Sequence, residues 1–212
     1  MATSILDNLI SRYPKLKPHK ETIKRASDNI IRSYEMGGKV LVCGNGGSGS
    51  DAEHIVGELM KGFVKKRPLQ GKIRASLESC VDERAKVLLE KLQTPLPAIS
   101  LISQTSLISA FANDVDPNLI FAQQVAGYGK KGDVLIGMST SGNSKNVIYS
   151  MVMARALGIV TIGLTGRAGG KMKEMCDILI DVPEDETFKV QELHLPIYHV
   201  LCMLVEDHFF PV

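Results

Sequence analysis

Several familiar signals are missing from this chain, and each absence narrows what it does. Its 212 residues include only four cysteines, Cys43, Cys80, Cys176 and Cys202. No CxxC pair or Cys/His spacing links them, which excludes a disulfide framework and a cysteine-built zinc site. Cys43 and Cys202 stand in apolar runs, where free cysteine acts as a small core residue, and a reducing cytoplasm is the expected location. Charge of either sign is not in excess: 25 Lys and Arg face 23 Asp and Glu, for a formal net charge of +2. No long Lys/Arg block appears, so no nucleic-acid partner is expected. The densest basic stretch, "KKRP" (65–68), reads as a solvated loop. No apolar run reaches membrane-spanning length, and the N-terminal "MATSILDNLISRYPK" lacks the apolar core of a signal peptide, so no membrane association is expected. Low-complexity segments and internal repeats are missing as well.

What is present is a rhythm. Near-continuous apolar runs at 39–44, 96–102, 133–139, 159–165 and 177–182 are bounded by turn residues, as strands covered on both faces of a parallel sheet are. Helical patterns fall between them at about 18–36, 50–63, 104–126, 143–157, 168–176 and 187–208. Strand and helix in alternation predict an α/β fold with a parallel sheet in a three-layer sandwich. The whole chain, 1–212, reads as a single domain with an N-terminal helical segment (about 1–36). One segment, about 70–95, breaks the alternation. Its apolar residues Ile73, Leu77, Val81, Val87, Leu88 and Leu92 lie close to helical spacing, so it is expected to be an inserted helix.

Two strand-to-helix loops carry unusual composition. "GNGGSGS" (44–50) follows "KVLVC" and opens a helix; its glycines admit close backbone approach, Ser48 and Ser50 add hydroxyls, and the helix start supplies free N–H groups. It is neither a dinucleotide fingerprint nor a P-loop, since the glycine spacing is shifted and no GK[ST] follows. "STSGNS" (139–144) occupies the same position after the third strand. Ser, Asn and Gly are also ordinary cap and turn residues, but two such loops at equivalent positions suit a phosphate held without a metal.

Further along the first loop's helix, His54 and Glu58 are four residues apart and share a face. Such a pair suits proton transfer or a metal ion. His199 lies in the apolar "LPIYHVLCMLVE", where a hydrogen-bonded core histidine is the commoner reading of the residue alone.

"GNGGSxxDAxH", "ELMKGF", "AFANDVDPNLIFAQQV", "GDVLIGMSTSGNSKNVI", "TIGLTGRAGGKM" and "VQELHLPIYH" together resemble the sugar isomerase (SIS) domain family, and within it the phosphoheptose isomerases. The resemblance runs from about residue 20 to 208, interrupted at 70–95. It implies a single SIS domain, a five-stranded, flavodoxin-like parallel sheet flanked by helices, assembled as a homotetramer with active sites between subunits. It implies phosphate contacts at Ser139, Thr140, Ser141 and Ser144 with Ser48 beside them, and sugar contacts at Asn45, Gly46, Gly47, Asn113 and Asp114. Zinc would map to His54, Glu58, Gln191 and His199. Glu58 would be the base and His199 the acid of an aldose–ketose isomerisation, most simply that of sedoheptulose 7-phosphate.

One spacing fits the zinc set poorly. Gln191 and His199 are eight apart, about 12 Å of helical rise, and His194, on the same face as Gln191, is an alternative ligand. The chain also departs from the family pattern at Gly49–Ser50, at Lys61–Gly62 and in the insertion. A non-catalytic SIS adaptor that binds the replication initiator DnaA is the main alternative; the presence of both Glu58 and His199 favours the enzyme. A sugar-phosphate-sensing regulator is disfavoured, because no DNA-binding segment accompanies the domain.

Overall fold

Five apolar runs become five parallel strands in the computed structural model, which describes residues 2–211. They are β1 (Val40–Cys43), β2 (Ala98–Ser100), β3 (Val134–Met138), β4 (Val160–Gly166) and β5 (Ile178–Val182), paired in the order β2-β1-β3-β4-β5. Val42 of β1 lies opposite Ser100 on one side and Ile136 on the other. This is the doubly wound order whose direction of winding reverses between β1 and β3.

Among the described residues nine α-helices surround the sheet: α1 (Ala2–Arg12), α2 (Lys20–Glu35), α3 (Gly47–Met60), α4 (Gly71–Glu78), α5 (Arg84–Lys91), α6 (Thr105–Asp114), α7 (Ile120–Tyr128), α8 (Lys145–Ala156) and α9 (Thr187–Phe209). The pleat sends alternate side chains to opposite faces. Val40 and Val42 join a core with Ile23 and Ile30 of α2, Ile55 of α3 and Ile197 of α9. Leu41 and Cys43 join another with Val125 of α7 and Val147 and Met151 of α8. Apolar cover on both faces explains why the strands read as continuous apolar runs.

Four expectations need correction. The helix expected at 104–126 is two, α6 and α7. Between them Asp116 Oδ1 accepts the backbone N–H of Asn118 at 2.7 Å, an Asx turn around Pro117, which cannot continue a helix. The segment expected to form one inserted helix forms α4 and α5, and 168–176 holds only a 3-10 helix at Gly170–Glu174.

The fourth correction concerns the basic stretch. Arg67 is not a solvated residue: it is fully buried, and its Nε donates to Glu206 at 2.7 Å. Its other nitrogens donate to the carbonyls of Leu59 at 2.7 Å and Glu58 at 3.1 Å, which caps the end of α3. Glu206 also accepts the N–H groups of Phe63, Val64 and Lys65. Burial alone would raise the Glu206 carboxyl, but the Phe63 and Val64 donors and the Arg67 guanidinium outweigh it and hold it below the ordinary value.

The insertion is closed at its base. Pro68 and Gln93 form an antiparallel bridge, Thr94 N–H donates to the Arg67 carbonyl at 2.9 Å, and Leu96 N–H to that of Leu59 at 3.0 Å. Residues between these ties leave and re-enter the fold at one place. Within α4 no residue is buried, and within α5 only Ala85.

Candidate active site

The glycine and serine loops leave the carboxyl ends of β1 and β3, neighbouring strands at the switch point. Open α/β sheets bind ligands there because the two outgoing helices diverge to opposite faces and leave a crevice. The loops are tied together by a reciprocal amide pair. Asn45 Nδ2 donates to Asn146 Oδ1 and Asn146 Nδ2 to Asn45 Oδ1, each at 2.9 Å. Asn146 was not among the expected site residues; its partner is 101 residues away in sequence, and no local pattern marks it.

In the first loop Gly46 takes φ +54, a backbone region that favours glycine. Gly47 serves close packing: a Cβ there would collide with the Nε2 of Gln191. Gln191, at the start of α9, thus lies against the loop. Asn45, Gly46 and Gly47 are exposed and Ser48 is buried.

In the second loop Ser139, buried, shares a 2.9 Å hydrogen bond with the Ser144 hydroxyl, and the Ser144 N–H points at Ser139 Oγ at 3.3 Å. Ser141 Oγ accepts the N–H of Asn143 at 3.2 Å. Gly142, at φ +65, packs so closely on Gly169 that no side chain fits. Gly166 N–H donates to the Thr140 carbonyl at 2.9 Å. The end of β4 therefore fixes the loop from behind while Ser141 stays exposed.

Helices α3 and α9 run side by side in the same direction. Gly47 meets Gln191, His54 meets Tyr198, and the residues after α3 meet Glu206. The eight-residue separation of Gln191 and His199 follows this seam: Gln191 stands at the glycine-loop end and His199 about 12 Å further along. His54 Nε2 lies 3.2 Å from Glu58 Oε1, His54 Nδ1 lies 3.0 Å from the Tyr198 hydroxyl, and that hydroxyl donates to Asp51 at 3.1 Å. Lys61 Nζ stands 3.3 Å from the other Glu58 oxygen. The His199 ring meets His54 edge-on, centroids 5.0 Å apart, and its Nε2 is buried with no hydrogen-bond partner. It also borders a cavity of about 340 Å³ walled by Arg12, Tyr13, Phe63 and Met203. Burial, then the neighbouring His54, pushes its imidazole below the ordinary histidine range. Burial raises the Asp51 carboxyl, partly offset by the Tyr198 hydrogen bond, and burial with the Asp51 charge raises the Tyr198 phenol.

His194, the alternative ligand, turns elsewhere. It is fully buried and its Nε2 faces the Thr165 carbonyl on β4 at 3.2 Å. Burial pushes its imidazole down to about 4, so the ring is neutral and Nε2 donates. It braces β4, which in turn holds the serine loop.

Two expected site residues are not brought to this cluster. Asn113 and Asp114, at the end of α6, are exposed, and Asn113 donates only to its neighbour Asp114 at 2.8 Å. Among the described residues no three His, Cys, Asp or Glu side chains converge as a metal cage. His54 and Glu58 offer two donors in contact, and the unpartnered His199 Nε2 is nearby, so one chain fits a zinc ion in part.

The arrangement can hold an anion at paired loops and move protons along the adjoining helix seam. Comparison with known proteins agrees with that chemistry. The SIS domain family matches residues 6–79 and 81–166. A phosphoheptose isomerase of Burkholderia pseudomallei (strain 1710b) is 40% identical over 189 residues, 89% of this chain and 83% of the relative. One of Helicobacter pylori (strain P12) is 38% identical over 216 residues, 97% and 98% of the two chains. The solved phosphoheptose isomerase GmhA of Neisseria gonorrhoeae superposes with a TM-score of 0.75 at 30% identity, covering 97% of this chain and 96% of its own.

Proposed function

The chain belongs to the SIS domain family and, within it, to the phosphoheptose isomerases, and from that membership we propose that it interconverts sedoheptulose 7-phosphate and D-glycero-D-manno-heptose 7-phosphate. It is an aldose–ketose isomerase. The observation that carries the substrate reading is the joining of two hydroxyl-rich loops by Asn45 and Asn146 beside a His54–Glu58–His199 cluster.

The phosphate lies against Ser139, Thr140, Ser141 and Ser144, with Ser48 as a further donor, where N–H groups at the start of α8 favour negative charge. Asn45, Gly46, Gly47 and Gln191 meet the sugar chain. Glu58 removes the proton from the carbon next to the carbonyl, the electron pair becomes an enediolate, and His199 donates a proton to the carbonyl oxygen. Glu58 then returns its proton to the former carbonyl carbon, while the hydroxyl on the carbon that lost the proton gives its own to His199 and becomes the new carbonyl, so both residues are restored with no net oxidation.

Zinc is proposed at His54 and Glu58, with Gln191 and His199 as further donors. It would polarise the substrate oxygens. The proposed assembly is a homotetramer with sites between subunits. Supporting it, no residue of α6 is buried, although that helix carries Asn113, Asp114 and the exposed Leu107. Among the described residues no helix is long and apolar enough to cross a membrane, and the cytoplasm is the proposed location.

The deciding experiment is turnover of sedoheptulose 7-phosphate by purified protein, before and after chelation and with zinc restored. Turnover lost on chelation and recovered with zinc is expected. No turnover in any of the three states would overturn the substrate assignment, and full turnover after chelation would overturn the role of zinc.

A further inference from the structure

Asp51, His54 and Glu58 share one face of α3, and Tyr198 reaches that face from α9. Accounting for each proton along this row fixes the state of the imidazole. An ionised Asp51 has only lone pairs, so the single proton of the Tyr198 hydroxyl goes to its Oδ1, 3.1 Å away. The hydroxyl oxygen is then the acceptor in its 3.0 Å contact with His54, and Nδ1 carries the ring proton. The reverse assignment would set the hydroxyl lone pairs against the carboxylate. In the neutral ring, Nε2 is left with a lone pair 3.2 Å from Glu58 Oε1, itself an acceptor. Two acceptors at that distance repel until a proton or a cation comes between them.

We propose that Asp51 and Tyr198 are positioning residues that lock His54 in its Nδ1–H tautomer, so that the Nε2 lone pair faces Glu58 and stays free for the cation proposed at this pair. That use of the lone pair rests on the isomerase reading. With its proton held on Nδ1, His54 would present Nε2 to a zinc ion beside the Glu58 carboxylate, without touching the reacting carbons. Asp51 and Tyr198 therefore act at one remove, as the partners of metal- or proton-bearing histidines commonly do.

The tautomer can be read directly, without substrate, from ¹⁵N NMR of histidine-labelled, chelator-treated protein near pH 8, above the ordinary imidazole range. Loss of one resonance pair in His54→Gln assigns the signals. The wild type is expected to show Nδ1–H and a bare Nε2. In Asp51→Asn the new amide N–H donates to the Tyr198 oxygen, the hydroxyl proton turns to Nδ1, and the tautomer inverts to Nε2–H. Tyr198→Phe releases the ring to a mixture. Both variants are expected to lower kcat about 10–100-fold at unchanged KM. An Nε2–H tautomer in the wild type, or an unchanged Nδ1–H tautomer in both variants, would overturn the proposal. Absence of turnover in the wild type would count against the isomerase reading alone, since the tautomer is measured without it.

Discussion

The seam between α3 and α9 and the α4–α5 excursion follow each other in the chain but obey different rules. In the seam, long side chains find partners far away in sequence: Arg67 with Glu206, His54 with Tyr198, Gly47 with Gln191. In the excursion, Ile73, Val81, Val87, Leu88 and Leu92 are all exposed, and its ion pairs, Arg74–Glu78 and Arg84–Asp82, are local and solvated. The seam therefore joins stability to the proposed chemistry, while the excursion costs the fold little because its stem is closed at Pro68 and Gln93. A substitution's effect should track which of the two regions it falls in.

The largest effect is expected at the seam's chemical centre. Glu58→Gln keeps the shape of a side chain that is mostly covered and removes its basicity together with its charge. It should lower kcat by about 10²–10⁴ while leaving the unfolding transition in place. A kinetic assay beside a denaturant titration checks both, and activity near that of the wild type would end the assignment of Glu58 as base.

Arg67→Met comes next, and it probes the same helix through its backbone. It leaves Glu206 buried with its charge uncompensated and frees the Leu59 and Glu58 carbonyls. Loss of one partner of a buried pair costs about 3–5 kcal/mol, which a urea titration reads directly. The surface substitution Lys66→Met, one residue away and exposed, is the control and should change little.

How much of this contrast the sequence discloses depends on the range of the interaction. The strands were legible because burial on both faces leaves its mark locally, in runs such as "KVLVCG" and "DVLIGMS". Glu58 and His54 were legible because four residues on a helix is a local geometry. Arg67 was misread because its partner lies 139 residues away, and a basic run without that partner is indistinguishable from a solvated loop. Asn146 was missed for the same reason. The α6–α7 break had a signal, "VDPN", but the apolar pattern continues across it and masked the turn.

Acid should loosen the packing of α9 on β4. His194 titrates at about 4 in the fold against 6.5 in the unfolded chain. Its contribution is complete above pH 6.5, where both states are neutral. As pH falls, the unfolded chain takes up the proton first, so stability declines from near pH 6.5 and the loss is complete below about 4. A displacement of that size corresponds to about 3 kcal/mol. The Glu206 carboxylate, held below its ordinary value, adds a further loss as pH falls through the carboxylate range. Urea titrations between neutral and acid pH should show this decline, and a flat profile down to pH 5 would mean that the interior around His194 admits water.

The smallest effects belong to the excursion. Val81 is fully exposed and Leu88 is 41% exposed, so Val81→Ser and Leu88→Ser should each change the unfolding free energy by less than about 0.5 kcal/mol. The two positions differ in what a larger change would mean. Val81 lies between α4 and α5, where replacement of its side chain disturbs no helix contact. Leu88 is on α5, beside the half-buried Leu89 and one turn after the buried Ala85. A loss above about 1 kcal/mol at Leu88 alone would show that the α4–α5 pair has a core of its own. A loss at both, growing with protein concentration, would show that a second copy of the chain covers the excursion. With neither, these apolar residues contribute to the surface and not to the fold, and the closed stem alone keeps the excursion from disturbing the helix that carries Glu58.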